Sequence, residues 1–272
     1  NWASANFMLP ENKNKKICFT LDLEQDYGRI REYSAFANIP ALIDLFKKYN
    51  LKLTIFSIGK IIEESPDIIK KFQDNLDCEI QLHSYEHEIN CEISPEEKKN
   101  DLKKGIEAYK KYFGRNPAGY RAPRGNVSPE EIGWLKDDGF VYDSSFIPTY
   151  RPGLFNNTGK NDHPFAHKNG LLEIPFSAIP TIKLPFSLSY LQLLGWPIAH
   201  IFINKAKNKN PLIFGFHLHN LAKLKNLKRL KPPFRLFYIR NQNNGLKLLE
   251  KFIIWAEKNN YESTTMSDIT KV

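Results

Sequence analysis

Between Ile17 and Ile269 the chain alternates short β-type apolar runs with amphipathic helical segments, and few folds accommodate that rhythm. The strand-like runs are 17–23, 51–58, 78–82, 118–121, 140–143, 171–176 and 212–217. Helix starts are marked between them. Ser94-Pro95-Glu96-Glu97 is a capping box with proline at the first helical position, followed by Leu102, Ile106, Tyr109 and Phe113 at helical spacing, and Gly114 ends the segment. Ser128-Pro129-Glu130-Glu131 repeats the signature, with Gly139 at the end; Ser65-Pro66 opens a third helix, and 243–260 forms the last. Strand–helix alternation of this kind predicts an α/β fold with a parallel sheet or barrel. The polar residues Asp22, His83, Arg121, Asp143 and His217 all fall at the C-terminal ends of strand runs, where barrels of this type carry their chemistry.

A length of 272 residues, with 42% hydrophobic and 25% charged, describes an ordinary folded chain. The net charge of +9 suits acidic partners. The lysines are mostly spread over helix-like faces, however, and no nucleic-acid-binding motif is present, so no nucleic-acid partner is expected. The densest cationic stretch runs from Lys223 to Arg235. Cys18, Cys78 and Cys91 form no CxxC pair and read as buried free thiols, which leans towards a cytoplasmic or membrane-peripheral location, with the cell envelope left open. Residues 1–16 read as an N-terminal extension. The apolar stretch 184–203 is broken by Pro185, Gln192, Pro197 and His200, which suits a buried or interfacial segment better than a bilayer span. The stretch 147–170, rich in Asn, Gly and Pro, reads as a long loop.

Within His83-Ser84-Tyr85-Glu86-His87 two imidazoles lie four residues apart, which on a helix would place them on one face and able to share a metal ion. An acidic cluster, Asp22, Glu24 and Asp26, closes an upstream strand, and on a strand positions 22 and 24 face one side. Carboxylates, two histidines, an arginine and the His217/His219 pair together point to a metal-dependent hydrolase.

In order and spacing these residues resemble the polysaccharide deacetylase family (NodB homology, carbohydrate esterase family 4). His83-Ser84-Tyr85-Glu86-His87 matches its His-Ser/Thr-x-x-His motif. Arg121-Ala122-Pro123-Arg124-Gly125 matches its Arg-x-Pro-x-Gly motif. The segments Thr20-Leu21-Asp22-Leu23-Glu24, Tyr142-Asp143-Ser144-Ser145 and Phe216-His217-Leu218-His219 resemble the others, with Asp-Leu-Glu in place of the usual Asp-Asp. The resemblance implies an irregular (β/α)7-type barrel in a single domain, with its core at about 17–269, and removal of N-acetyl groups from a sugar of a polysaccharide or lipid-linked glycan.

It further implies Glu24, His83 and His87 as ligands of a divalent metal, Zn2+ first, with Co2+, Mn2+, Ni2+ or Fe2+ as alternatives. Asp22 becomes the base, held by Arg121, and His217 the acid, with His219 as the alternate and Asp143 in support. Pro123, Gly125 and Tyr142 are assigned as substrate contacts; Asp26 stays open as a ligand, as does an exchange of roles between Asp22 and Glu24. Tyr120, Trp134, Phe146 and Tyr150 are candidate sugar-stacking aromatics, Trp134 reading better as helix core; His163, His167 and His200 are assigned no role, and Glu86 and Glu88 are read as solvated or supporting. An N-acetylated glycan is the expected partner, with peripheral contact to a membrane compatible with 184–203; oligomeric state is open. Two other readings stay in view: a cyclic amide or ureide hydrolase of the allantoinase type, and a glycan-binding relative without activity.

Overall fold

The computed structural model describes residues 5–6, 15–87, 93–152, 155–159, 161–180, 182–232 and 234–271. Eight of its described strands run parallel: β1 (Lys15–Leu23), β2 (Leu53–Ser57), β3 (Cys78–Leu82), β4 (Gly119–Tyr120), β5 (Tyr142–Asp143), β6 (Leu172–Glu173), β7 (Leu212–His217), and Tyr261–Ser263, which pairs alongside the start of β1. They form one curled sheet in the order β6-β5-β4-β3-β2-β1-β7. Between the β6 and β7 edges, Ser177 and Phe186 bridge the gap: the Ile213 N–H donates to Ser177 Oγ at 2.9 Å and the Gly215 N–H to the Phe186 carbonyl at 3.0 Å. This is the parallel barrel that the alternating pattern allows and the irregular form that the resemblance implies. Strands β4 to β6 are shorter than the runs that announce them, yet pairing continues past them through Arg121 N–H to Leu82 O and Ser144 N–H to Tyr120 O.

The helices α1 (Ile39–Lys48), α2 (Gly59–Glu64), α3 (Pro66–Gln73), α4 (Pro95–Phe113) and α5 (Pro129–Asp137) follow strands β1 to β4. Both capping boxes form: Ser94 Oγ accepts from Glu97 N–H and Ser128 Oγ from Glu131 N–H, each at 3.2 Å. Farther along come α6 (Leu188–Leu194), α7 (Trp196–Ile203), α8 (Phe234–Ile239) and α9 (Gly245–Lys258). The apolar stretch 184–203 is thus two short helices that break at Gly195, and among the described residues no helix is long and apolar enough to cross a membrane. The long 147–170 loop holds a small hairpin pairing Tyr150–Arg151 with Phe155–Asn156.

Strands buried on both faces must be apolar on both. On β1 the alternate residues Phe19 and Leu21 face the helices; Phe19 meets Phe46 of α1 and Phe252 of α9 edge-on, with centroids 5.7 and 6.2 Å away. The intervening residues Cys18, Thr20 and Asp22 face the barrel interior. Cys18 packs there with Phe56, Tyr142, Ile213 and Met266. Polar side chains therefore mount a column whose top, at the C-terminal strand ends, is Asp22. Cys18 is a buried free thiol and Cys78 a half-buried one; Cys91 and Glu88 lie outside the described residues.

Candidate active site

Strand register sets the first contact of the site. His217 is paired across the sheet with Asp22, and the two side chains project over the same end of the barrel. The His217 Nε2 is 3.7 Å from Asp22 Oδ2 and 3.5 Å from Glu24 Oε1. Asp22 in turn takes an Nη1–H bond of 2.7 Å from Arg121. Arg121 is 2% exposed, and its other donors reach Thr20 Oγ1, Ser144 O and Ser144 Oγ, while Phe56 and Phe176 sandwich the guanidinium at 4.1 and 4.4 Å. Four acceptors and two ring faces thus surround that charge.

Glu24, just past β1, meets both histidines of the 83–87 motif. Its Oε2 lies 2.6 Å from His87 Nε2 and 3.4 Å from His83 Nε2. The expected helical presentation of those histidines is not what the chain adopts. Residues 83–87 form a loop after β3, with Ser84 and His87 in the left-handed region at φ 65 and 59. Other groups satisfy its backbone: the Asp101 carboxylate accepts the Tyr85 and Glu86 N–H groups, and Ser84 Oγ accepts His87 N–H. The strand end and this turn, rather than a helix face, bring the two rings to 5.1 Å.

Three ligand atoms from Glu24, His83 and His87 lie within 4.8 Å of one another, all buried. The donor set suits a divalent ion. Glu24 Oε2 is buried between the His83 and His87 Nε2 atoms, and His83 Nδ1 is 2.6 Å from the Arg121 carbonyl, an acceptor, so the proton sits on Nδ1 and the Nε2 lone pair faces the centre. Burial alone would raise both carboxyls. Nevertheless the Arg121 guanidinium holds Asp22 below the ordinary carboxylate range, and His87 and His217 hold Glu24 well below it. Burial likewise lowers His87, but Glu24 outweighs it and raises that imidazole.

These groups line a cavity of about 550 Å³, shared with Gly125 and Tyr150. Other expectations are corrected here. Tyr142 is completely buried inside the barrel below the site, its hydroxyl 3.4 Å from Glu79 in the space left by Gly119, so strand alternation keeps it from a substrate. Pro123 is buried and outside the cavity lining. His219 is buried too; Nδ1 accepts the Tyr27 N–H at 3.1 Å, and burial with neighbouring His217 pushes its imidazole well below the usual range, so it stays neutral and stacks behind His217 at 4.7 Å. Asp26 accepts from Ser34 N–H, Ala35 N–H and Asn226 Nδ2 and has no place among the three ligands. Tyr120 and Phe146 are core, and Trp134 packs against a core cluster. Of the four candidates Tyr150 lines the cavity, and the rest of the aromatic wall comes from Tyr27, Phe176, Tyr190, Phe234, Phe237 and Tyr238, residues from distant segments with no common signature in the sequence. Glu86 pairs with Lys60 at 2.6 Å and His163 with Asp162 at 3.4 Å, while His200 packs against the Trp196 ring at 5.5 Å.

Asp143 sits behind the cavity wall rather than in it. It accepts Ser145 Oγ–H at 2.6 Å and faces Glu173, which takes the Phe146 N–H and lies 3.2 Å from His167 Nε2. Burial and Glu173 push Asp143 well up; burial raises Glu173 to about 8. A raised carboxyl contributes stability below its unfolded pKa of about 4.3 and loses it as pH rises through the folded value. The Glu173→Gln variant reproduces the protonated form, so its urea midpoint is expected to decline less steeply than the wild type's from pH 5 to about 8, the raised Asp143 carboxyl being present in both; equal slopes would contradict the buried acid pair.

Gly28 closes the acidic turn at φ +61, where a Cβ would stand 2.9 Å from His87 Cε1 and 3.0 Å from Glu24 Oε1. Gly28→Ala is therefore expected to cost about 1–2 kcal/mol of stability through its left-handed backbone and to weaken divalent-ion binding by roughly tenfold, comparable to loss of a supporting contact. Calorimetric melting and metal titration check both.

Fold and site together define a class: a barrel with a carboxylate–histidine centre at the C-terminal ends of its strands. Residues 11–142 match the family model described as polysaccharide deacetylase. It is 34% identical over 115 residues to a peptidoglycan deacetylase of Helicobacter pylori, covering 42% of this chain and 39% of that one. It is 28% identical over 102 residues to a peptidoglycan-N-acetylglucosamine deacetylase of Bacillus cereus, covering 38% and 37%. The aligned stretch thus spans well under half the length of these relatives. A crystal structure from Mycobacterium smegmatis shares the fold over 100% of this chain and 94% of its own, with TM-score 0.64 and 20% identity. PuuE allantoinase does so over 94% and 89%, with TM-score 0.62 and 17% identity.

Proposed function

We propose that the chain, with residues 17–269 as one catalytic unit, is a divalent-metal-dependent hydrolase that removes the N-acetyl group from a sugar of a glycan. The observation that carries this reading is the convergence of Glu24, His83 and His87 beside the Asp22–Arg121 pair and His217 in one cavity. Glu24, His83 and His87 would hold the ion, Zn2+ being the first choice for two imidazoles and a carboxylate. Such an ion, when bound, polarises an amide carbonyl and acidifies water. Asp22, kept ionised by Arg121, takes the proton from the attacking water. The water oxygen joins the acetyl carbon, the C–N bond breaks, and His217 delivers a proton to the departing amine. Products are acetate and a free amino sugar. The aromatic wall offers ring faces for the sugar.

The glycan-bearing relatives support an N-acetylglucosamine-type substrate, and the fold shared with PuuE allantoinase keeps a cyclic amide as the second reading. Acetate release from N-acetylglucosamine oligomers and from peptidoglycan, with and without chelator, tests the first. Chelator-sensitive acetate release upholds it; ring opening of allantoin without acetate release would replace it with the second.

A further inference from the structure

Four guanidinium groups line the cavity, and one of them has a carboxylate partner: Arg121, held by Asp22. Arg29, Arg124 and Arg151 also line it, and among the described residues no carboxylate lies within ion-pair distance of any of the three. They converge. The Arg29 and Arg124 guanidinium carbons stand 4.1 and 5.8 Å from the centroid of the same Phe234 ring. Arg151 Nη1 donates to the Arg124 carbonyl at 2.8 Å.

The carboxylates of the lining, Asp22 and Glu24, are already engaged by Arg121 and the histidines. Among the described residues the wall therefore carries two more guanidiniums than carboxylates. Gathered cations with low-dielectric walls focus a positive potential, which a neutral sugar would leave unanswered. Arginine forks match carboxylate and phosphate oxygens in pairs. Position makes the patch part of the site. Arg29 follows Gly28, the residue packed on His87, and Arg124 sits in the turn just after Arg121 with φ 59, a backbone state uncommon for a residue with a Cβ.

We propose that Arg29, Arg124 and Arg151 form an oxyanion subsite, so that the preferred substrate carries a carboxylate or phosphate next to its N-acetylated sugar. This deepens the deacetylase reading and rests on it. Arg29 is exposed and Arg124 half-buried, so substitutions at either leave the packed core untouched.

The test is calorimetric binding to the metal-loaded protein of three probes: N-acetylglucosamine, N-acetylglucosamine 1-phosphate and N-acetylmuramic acid. Wild type, Arg29→Gln and Arg124→Gln are compared. At least one anionic sugar is expected to bind about tenfold more tightly than the neutral one, and each variant to lose about that factor for it while keeping neutral-sugar binding. Preference for the phosphate probe alone assigns the anion to a phosphate, for the muramic acid alone to a carboxylate. Equal binding of all three probes, or anion preference untouched in both variants, overturns the subsite. Because binding is read without turnover, absence of acetate release would overturn the deacetylase reading, while the oxyanion subsite stands or falls on the three affinities.

Discussion

Arg121→Met lowers stability by about 3–5 kcal/mol, the range for stripping one partner from a buried ion pair. The reason is geometric. Asp22 keeps its place on β1 but loses the 2.7 Å guanidinium that keeps its charge tolerable, and Thr20 Oγ1 and Ser144 Oγ lose the same donor. Methionine fills the slot between Phe56 and Phe176 without supplying a donor. The pH dependence has a definite sign. In the wild type Asp22 is depressed, so its contribution is present above the ordinary carboxylate pKa of about 3.9 and is lost as pH falls through the lower folded value. In the variant the unpaired Asp22 gains by taking up a proton. The gap between the two urea midpoints is therefore widest near neutral pH and narrows on acidification. Adding Asp22→Asn to Arg121→Met recovers part of the lost stability, because no charge is then buried alone. A gap independent of pH, or a double variant less stable than the single one, would show that packing rather than charge sets the cost.

His83→Asn abolishes stoichiometric divalent-ion binding and lowers kcat/KM for acetate release by roughly 10³-fold, about 4 kcal/mol of transition-state stabilisation. Asparagine is chosen because its Nδ2 can replace the imidazole Nδ1–H that donates to the Arg121 carbonyl, while nothing replaces Nε2 at the centre. The fold should survive, so near-ultraviolet circular dichroism of the chelated proteins is expected to coincide. Metal content by elemental analysis and acetate release are the readouts. Retention of both in His83→Asn would remove His83 from the centre and sink the metal-dependent mechanism.

Much of the site was legible along the chain because strand ends announce themselves. Apolar runs that stop at Asp22, Leu82 and His217 place the residues at and just after their ends over one end of a parallel sheet, whatever the details of packing. Capping boxes at Ser94 and Ser128 likewise mark helix starts through local chemistry alone. What stayed hidden depended on contacts between distant segments. A spacing of four between His83 and His87 fits a helix or a tight loop equally well, and the choice of loop was made by Asp101 of α4, whose carboxylate accepts that loop's N–H groups. Tyr142 looked like a site residue by its neighbours in sequence, yet strand alternation and the space above Gly119 send it inward.

The sequence by itself determined the alternation that makes a parallel barrel, the strand ends that carry Asp22, His83, Arg121 and His217, and the residue types able to hold a divalent ion. Those features are local, set by side-chain period and capping. Only the tertiary structure decided which aromatic residues wall the cavity, which of Glu24 and Asp26 meets the histidines, and that Arg29, Arg124 and Arg151 share its lining. These depend on how loops from separate parts of the chain close over one barrel end, and no spacing along the chain encodes a distance between loops.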